Sequence, residues 1–230
     1  MEDLNNQIAT LVRSYKDDFY ADKGVLSYVK RYTGCDDFLV SDNLIKRVWE
    51  FFEDNLLNLE SSGYRKNPSA ISVLHTNSGA GKILEESPKN VLITAFNNDM
   101  VCKRITDYVC QDRGLAYGGY IRDISQYFAV CNTNSSRKYD IVITQPLDDM
   151  TFYKGVDSVG DLSECEPLEY YTTRSVHFAS KNGYIVVIYP PNKYEELGEI
   201  VLKLDVEIQE NIQVKGLEYV SYEALILKKN

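Results

Sequence analysis

Leu4, Ile8, Leu11, Val12, Tyr15 and Phe19 recur at helical spacing, which predicts an amphipathic helix over 3–20. Residues 21–40 read as a short helix and a loop. Ser41-Asp42-Asn43 then offers side-chain acceptors for the unpaired amides of a helix start. Leu44, Ile45, Val48, Trp49, Phe52 and Leu56 form the inner stripe of that helix, which ends near residue 58. Ser61-Ser62-Gly63 and Asn67-Pro68-Ser69 punctuate the passage to the next element.

From residue 70 the pattern changes. Short β-rich runs occupy Ile71–Leu74, Val91–Phe96, Leu115–Ile121, Asp140–Thr144, Tyr184–Tyr189, Val206–Val214 and Ala224–Leu227. Helical candidates lie between most of them, at Lys82–Glu86, Met100–Arg113, Pro167–Ser180 and Lys193–Leu202. Such alternation predicts a parallel sheet with crossover helices. Only Lys215-Gly216-Leu217 and nearby residues separate the last two runs, so they should form an antiparallel hairpin at the sheet edge. The expected class is α/β: a three-layer α/β/α sandwich around a mostly parallel, seven-stranded sheet. Residues 1–66 read as an N-terminal helical extension and 67–230 as the α/β domain.

Composition narrows the function classes. Apolar residues make up 44% of the 230 and charged residues 26%, enough for a sizeable core and unlike a disordered or collagenous chain. No run approaches the roughly 18 to 20 uninterrupted apolar residues of a membrane helix. The opening residues lack the basic and apolar regions of a signal peptide. Five cysteines without a CxxC pair indicate neither a zinc site nor a disulfide framework, so no metal is expected and the reducing cytoplasm is the expected compartment. Net charge is −9, and the basic pairs Lys46-Arg47, Arg65-Lys66, Lys103-Arg104 and Arg137-Lys138 are scattered. A chain with that field repels phosphates, so DNA is expected only weakly or through a basic partner.

The sharpest local feature is Leu74-His75-Thr76-Asn77-Ser78-Gly79-Ala80-Gly81-Lys82-Ile83-Leu84. A β-run enters a small-residue loop with two glycines and leaves it as a helix. Glycines allow close approach to the backbone, and a helix start favours electron-rich groups. The loop is not a P-loop, because no glycine sits five residues before Gly81 and Ile83 stands where Ser or Thr belongs. It is not a full GxGxxG either, because Leu84 occupies the third glycine position. Polar groups then recur at the ends of successive β-runs: Asn97 and Asp99, then Asp123, then Gln145-Pro146-Leu147-Asp148. The carboxyl ends of parallel strands are where an open α/β sheet binds ligands.

In this order of motifs the sequence resembles the class I S-adenosylmethionine-dependent methyltransferases, specifically the adenine-N6 DNA methylases of the type I restriction-modification kind. The resemblance runs from about residue 34 to 230. Gly34 to Trp49 is similar to the family's segment before the first strand, and His75 to Leu84 to its Asp-Pro-x-x-Gly-x-Gly-x-x-Leu. Asn97 and Asp99 fall on the family's Glu-x-Asp, and Asp123 on its acid after the third strand. Gln145, Pro146, Leu147 and Asp148 fall on the catalytic (Asp/Asn/Ser)-Pro-Pro-(Tyr/Phe/Trp). The resemblance implies a Rossmann-like fold and S-adenosylmethionine held by His75, Asn77, Gly79, Gly81, Asn97, Asp99 and Asp123. It also implies methyl transfer to an extruded adenine, in a restriction-modification or mobile-element system, with a separate specificity or interaction subunit as protein partner.

The departures fall on chemistry. His75 replaces the acid that helps hold the cofactor's ammonium, and Asn97 replaces the carboxylate that accepts both ribose hydroxyls. Gln145 is one methylene longer than the family's Asn. Leu147 removes a stiffening proline, and Asp148 removes the aromatic that stacks on the base, a contact worth about 1 to 3 kcal/mol. Two other readings therefore stand beside a weakened methylase. One is a catalytically inactive interaction module, and the other is a methyltransferase with a non-DNA substrate. Taken singly, His75 reads as a turn histidine satisfied by backbone, Lys82 as a solvated first-turn lysine, Asp123 as a turn cap and Asp148-Asp149 as a solvated loop. Tyr170-Tyr171 divide between core and interface, and Cys102 and Cys110 share the inner face of one helix.

Overall fold

A computed structural model describes residues 40–57, 71–79, 81–97, 103, 106, 107, 110, 111, 113–121, 137–146, 165–214 and 222–230. The helix expected over 3–20, the elements expected over 21–40 (Val40 apart) and the Lys215-Gly216-Leu217 connection lie outside the described residues.

Helix α1 spans Asp42–Phe52 and opens on the expected cap: Leu44 N–H donates to Ser41 Oγ at 3.2 Å, with Asp42 in the first turn. Its stripe of Leu44, Ile45, Val48, Trp49 and Phe52 is buried. A π-helical turn, Glu53–Leu57, prolongs it to the end expected near 58.

Seven strands follow: β1 Ile71–His75, β2 Val91–Asn97, β3 Ala116–Ile121, β4 Tyr139–Thr144, β5 Ala179–Tyr189, β6 Val206–Ile212 and β7 Glu223–Lys229. Between them lie α2 Lys82–Glu85, α3 Pro167–Phe178 and α4 Tyr194–Val201. The helix expected over Met100–Arg113 is present at its described residues Lys103, Thr106, Asp107, Cys110, Gln111 and Arg113. The sheet order is β3-β2-β1-β4-β5-β7-β6. Strands β1 to β5 pair in parallel, while β7 runs antiparallel to both β5 and β6.

Side-chain chemistry accounts for β7 lying inside and β6 at the edge. Ala224, Leu225, Ile226 and Leu227 are apolar on both faces and buried, as a central strand requires. Strand β6 carries Glu207 and Glu210, with Glu207, Ile208 and Gln209 exposed and only Ile212 buried, which suits an edge that must not recruit further strands.

Strand alternation sends residues to two separate cores. Val73, Ile93, Ala95, Ile141, Ile143 and Val186 pack with α1, with Ile83 and Leu84 of α2, and with Cys110. Leu74, Phe96, Val142, Ile185, Val187 and Leu225 pack with α3 and α4 on the other face. Tyr170 and Tyr171 belong to this second core and are 2% and 0% exposed. Helix α1 is tied to the body by Trp49, whose Nε1–H donates to Ile83 O at 2.7 Å in a buried setting. Phe51 and Phe52 meet Tyr184 edge-on at 5.8 and 5.6 Å. The architecture is the expected three-layer α/β/α sandwich around a mostly parallel, seven-stranded sheet.

Strand β5 begins five residues before its sequence expectation. Tyr139 pairs with Ala179, yet Ile141 pairs with Tyr184, so β5 carries extra residues opposite β4. Asn182, in the left-handed region at φ 60°, and Gly183 absorb the irregularity.

Candidate functional site

Strand β1 lies between β2 and β4, and the chain leaves it toward β2 and β3 on one side before returning to β4 and β5 on the other. This is the switch point of an open α/β sheet. The small-residue loop, residues 76–81, leaves β1 there.

Short polar side chains pin the loop on both flanks. Toward β4, Thr76 N–H donates to Ile143 O at 2.9 Å and Thr76 Oγ1–H to Thr144 Oγ1 at 2.9 Å. Toward β2, Ser78 N–H and Ser78 Oγ–H both donate to Phe96 O, at 2.9 and 3.3 Å. Gly81 N–H closes the turn onto Ser78 O at 2.7 Å. His75, Thr76, Asn77 and Ser78 are only 2 to 5% exposed.

Gly79 and Gly81 sit at φ 49° and 78°, in the region where glycine carries no steric cost. At Gly81 the missing side chain also leaves room for a neighbour. A Cβ there would lie 3.1 Å from Thr106 Cα and 3.2 Å from Thr106 Cγ2. Gly81 therefore lets the helix through Thr106 close on the loop. Helix α2 has four residues, too few to aim a substantial dipole at an anion.

His75 is the last residue of β1, not a turn residue, and its Nδ1 has no hydrogen-bond partner among the described residues. Backbone does not satisfy it, contrary to the turn reading. Burial pushes its pKa down to about 3, so the imidazole is neutral at physiological pH. His177, the other histidine, occupies the last turn of α3, where its carbonyl accepts from Lys138 Nζ at the amino end of β4. The two histidines lie at opposite ends of the strands, His75 at the carboxyl end of β1 and His177 by the amino end of β4, and are not brought together.

Asn97 ends β2 and is 1% exposed. Its Nδ2 donates to Ser78 Oγ at 2.7 Å and to Thr106 Oγ1 at 3.4 Å. Thr106 Oγ1–H in turn donates to Gly79 O at 3.0 Å. The structure thus brings His75, Asn77, Gly79, Gly81 and Asn97 to one edge, with Gln145 and Pro146 following β4. Gln145 is 4% exposed and engaged by neighbours, and Pro146 is buried. Asp99, Asp123, Leu147, Asp148 and the Lys82 side chain lie outside the described residues.

Sequence reasoning missed Ser78, Thr76, Thr144 and above all Thr106. A signal for Thr106 existed: it falls between Cys102 and Cys110 at four-residue spacing, on the inner stripe already assigned to those cysteines. Among the described residues there is no cluster of three or more metal-ligating side chains and no helix long and apolar enough to cross a membrane.

No family model and no curated protein matches the sequence. Solved structures do match the fold. The chain is similar to a SAM-dependent O-methyltransferase from Thermotoga maritima, with TM-score 0.54 and 11% identity over 83% of this chain and 66% of that one. It is similar to the M. jannaschii tRNA m1G37 methyltransferase, with TM-score 0.53 and 15% identity over 84% of this chain and 51% of that one. It is also similar to TrmN from Thermus thermophilus, with TM-score 0.52 and 13% identity over 75% of this chain and 47% of that one. This chain therefore spans between 47% and 66% of the lengths of these three proteins.

Proposed function

We propose that this chain binds S-adenosylmethionine at the loop following β1 and transfers its methyl group to an acceptor other than duplex DNA. The observation that carries the reading is the sheet order β3-β2-β1-β4-β5-β7-β6, with a two-glycine loop leaving β1 at the switch point. Similarity to a SAM-dependent O-methyltransferase supports the choice of cofactor.

The residues present fit such a ligand in one specific respect. A buried polar atom with no partner is costly, and His75 Nδ1 sits at the strand end where the ligand would lie. A neutral imidazole there offers a hydrogen bond in place of the family's acid. His75, Asn77, Gly79 and Gly81 would line the site, with Asn97 bonded to the loop's Ser78 behind them and Asp99 and Asp123 completing it as the resemblance implies. When bound, the cofactor supplies an electrophilic methyl group. The chain's own part is to hold it, and to keep water from it with a loop that is almost fully buried.

Three features favour an acceptor other than duplex DNA. Gln145, the amide that would grip an extruded adenine, is itself shut in at 4% exposure. The sequence carries Asp148 where a stacking aromatic would stand, and a net charge of −9 opposes the phosphates of any bare nucleic acid, so that an RNA acceptor too would need a basic partner. A tRNA enzyme and an O-methyltransferase among the similar structures agree with a non-DNA acceptor. A protein partner that supplies recognition surface belongs to this proposal.

The test is calorimetric titration with S-adenosylmethionine and S-adenosylhomocysteine, followed by labelled-methyl transfer to duplex DNA, tRNA and protein acceptors. Micromolar binding with label on RNA or protein supports the proposal. Binding without transfer would favour the inactive interaction module, and label on duplex DNA would return the reading to the adenine methylases. Absence of binding to either compound would remove the cofactor assignment.

A further inference from the structure

We infer that Thr106 is a positioning residue for the ligand at the glycine loop, and that Asn97 acts through Thr106 and Ser78 rather than on the ligand. The inference rests on the reading of the loop as a cofactor site, and it assigns work to residues that the motifs leave unmarked.

The Thr106 hydroxyl holds Gly79 O at 3.0 Å, and Thr106 Cα and Cγ2 occupy the space beside Gly81. One side chain therefore sets the position of both glycines. Ser78 Oγ–H is directed at Phe96 O, which ties the loop to β2. Both hydroxyl oxygens are then left as acceptors, and the Asn97 amide supplies a hydrogen to each, at 2.7 and 3.4 Å. A carboxylate has no hydrogen to give. At position 97 it would face two oxygens whose protons are already directed elsewhere. The hydroxyls would have to abandon Gly79 O and Phe96 O to meet it, and the loop would lose both ties. The amide is the side chain that closes this network, so the departure from the family's acid is matched by Ser78 and Thr106. Introducing an acid at residue 97 should damage the site rather than restore it.

The experiment compares the full chain with Thr106→Val, Thr106→Ser, Asn97→Asp and Ser87→Ala. Ser87→Ala is the structural control: Ser87 Oγ–H makes an equally buried bond to Leu84 O, 2.8 Å, outside the loop. Two readouts are taken. One is the dissociation constant for S-adenosylhomocysteine, and the other is hydrogen exchange of the Gly81 amide in the ligand-free protein. Thr106→Val and Asn97→Asp should each weaken binding by about tenfold or more and speed exchange at Gly81. Thr106→Ser keeps the hydroxyl and should stay within about threefold of wild type. Ser87→Ala should lower thermal stability while leaving affinity and Gly81 exchange unchanged.

Wild-type affinity in Thr106→Val, or an equal loss in Ser87→Ala, would overturn the inference while leaving the proposed function intact. If wild type binds no S-adenosylhomocysteine, the proposed function falls and the positioning role falls with it. The exchange data would then still separate a loop lock, seen as faster Gly81 exchange in Thr106→Val alone, from a loop indifferent to Thr106.

Discussion

Replacing His75 with leucine removes a buried imidazole whose Nδ1 has no partner, and two consequences follow that can be measured separately. The first concerns pH. The folded pKa is about 3 against 6.5 when exposed, and burial is the cause. Well above pH 6.5 neither state of wild type carries the proton, and His75 contributes no pH dependence. Below that value the unfolded chain takes up a proton that the folded chain refuses, so stability falls until the folded imidazole protonates near pH 3. Between pH 7.5 and pH 5.5 this costs wild type about 1 kcal/mol, and the leucine variant loses that component. His177 and the carboxylates are common to both proteins and cancel in the comparison. The second consequence is at neutral pH. An unsatisfied buried polar group costs about 1 to 3 kcal/mol, so the variant should be at least as stable as wild type. The assay is urea unfolding at the two pH values, followed through Trp49, the single tryptophan. Parallel losses in the two proteins on acidification, or a variant about 2 kcal/mol less stable at neutral pH, would refute the assignment of a neutral, unpartnered imidazole. A variant that gains stability yet no longer binds S-adenosylhomocysteine would mark His75 as retained for the ligand.

Four further outcomes follow from single observations. Gly114→Ala tests left-handed backbone alone, since nothing lies within 4 Å of the added carbon at φ 65°, and should cost about 1 to 2 kcal/mol. Gly81→Ala adds the 3.1 Å approach to Thr106 and should cost about 1 kcal/mol or more beyond Gly114→Ala in urea unfolding; equal losses would show that the helix yields freely. Trp49→Phe leaves the buried Ile83 carbonyl without its 2.7 Å donor and should cost about 1 to 3 kcal/mol by circular dichroism, with an unchanged midpoint ruling out the tie between α1 and α2. Arg47→Ala breaks a 3.3 Å ion pair with Glu210 whose side chains are 46% and 37% exposed, so a loss above about 1 kcal/mol would contradict its solvated character.

Much of the architecture was legible in local pattern. Runs such as Val91–Phe96 and Asp140–Thr144 lie within one residue of the observed strands because parallel strands buried on both faces are continuous apolar sequences. The Ser41 cap and the Leu44 to Phe52 stripe were equally readable, since both follow from the geometry of one helix. Gly79 and Gly81 stood out because no other residue takes a positive φ without cost.

What the sequence determined by itself is therefore periodicity: which segments are strands and helices, which face of each is apolar, and where a small-residue loop leaves a strand. Tertiary structure decided the rest. The start of β5 at Ala179 depends on a register shift against β4: Asn182-Gly183 marks irregular backbone in the sequence but not that the strand continues through it. The insertion of β7 between β5 and β6 depends on pairing with a strand whose partner residues lie 34 to 44 positions away. The work of Asn97 depends on Ser78, 19 residues earlier, and on Thr106, whose own bond to Gly79 spans 27 residues. A side-chain amide and a side-chain acid look interchangeable in a motif because both can meet a ribose. They differ once the neighbouring hydroxyls are in place, because only the amide has hydrogens to give, and those neighbours are chosen by the fold.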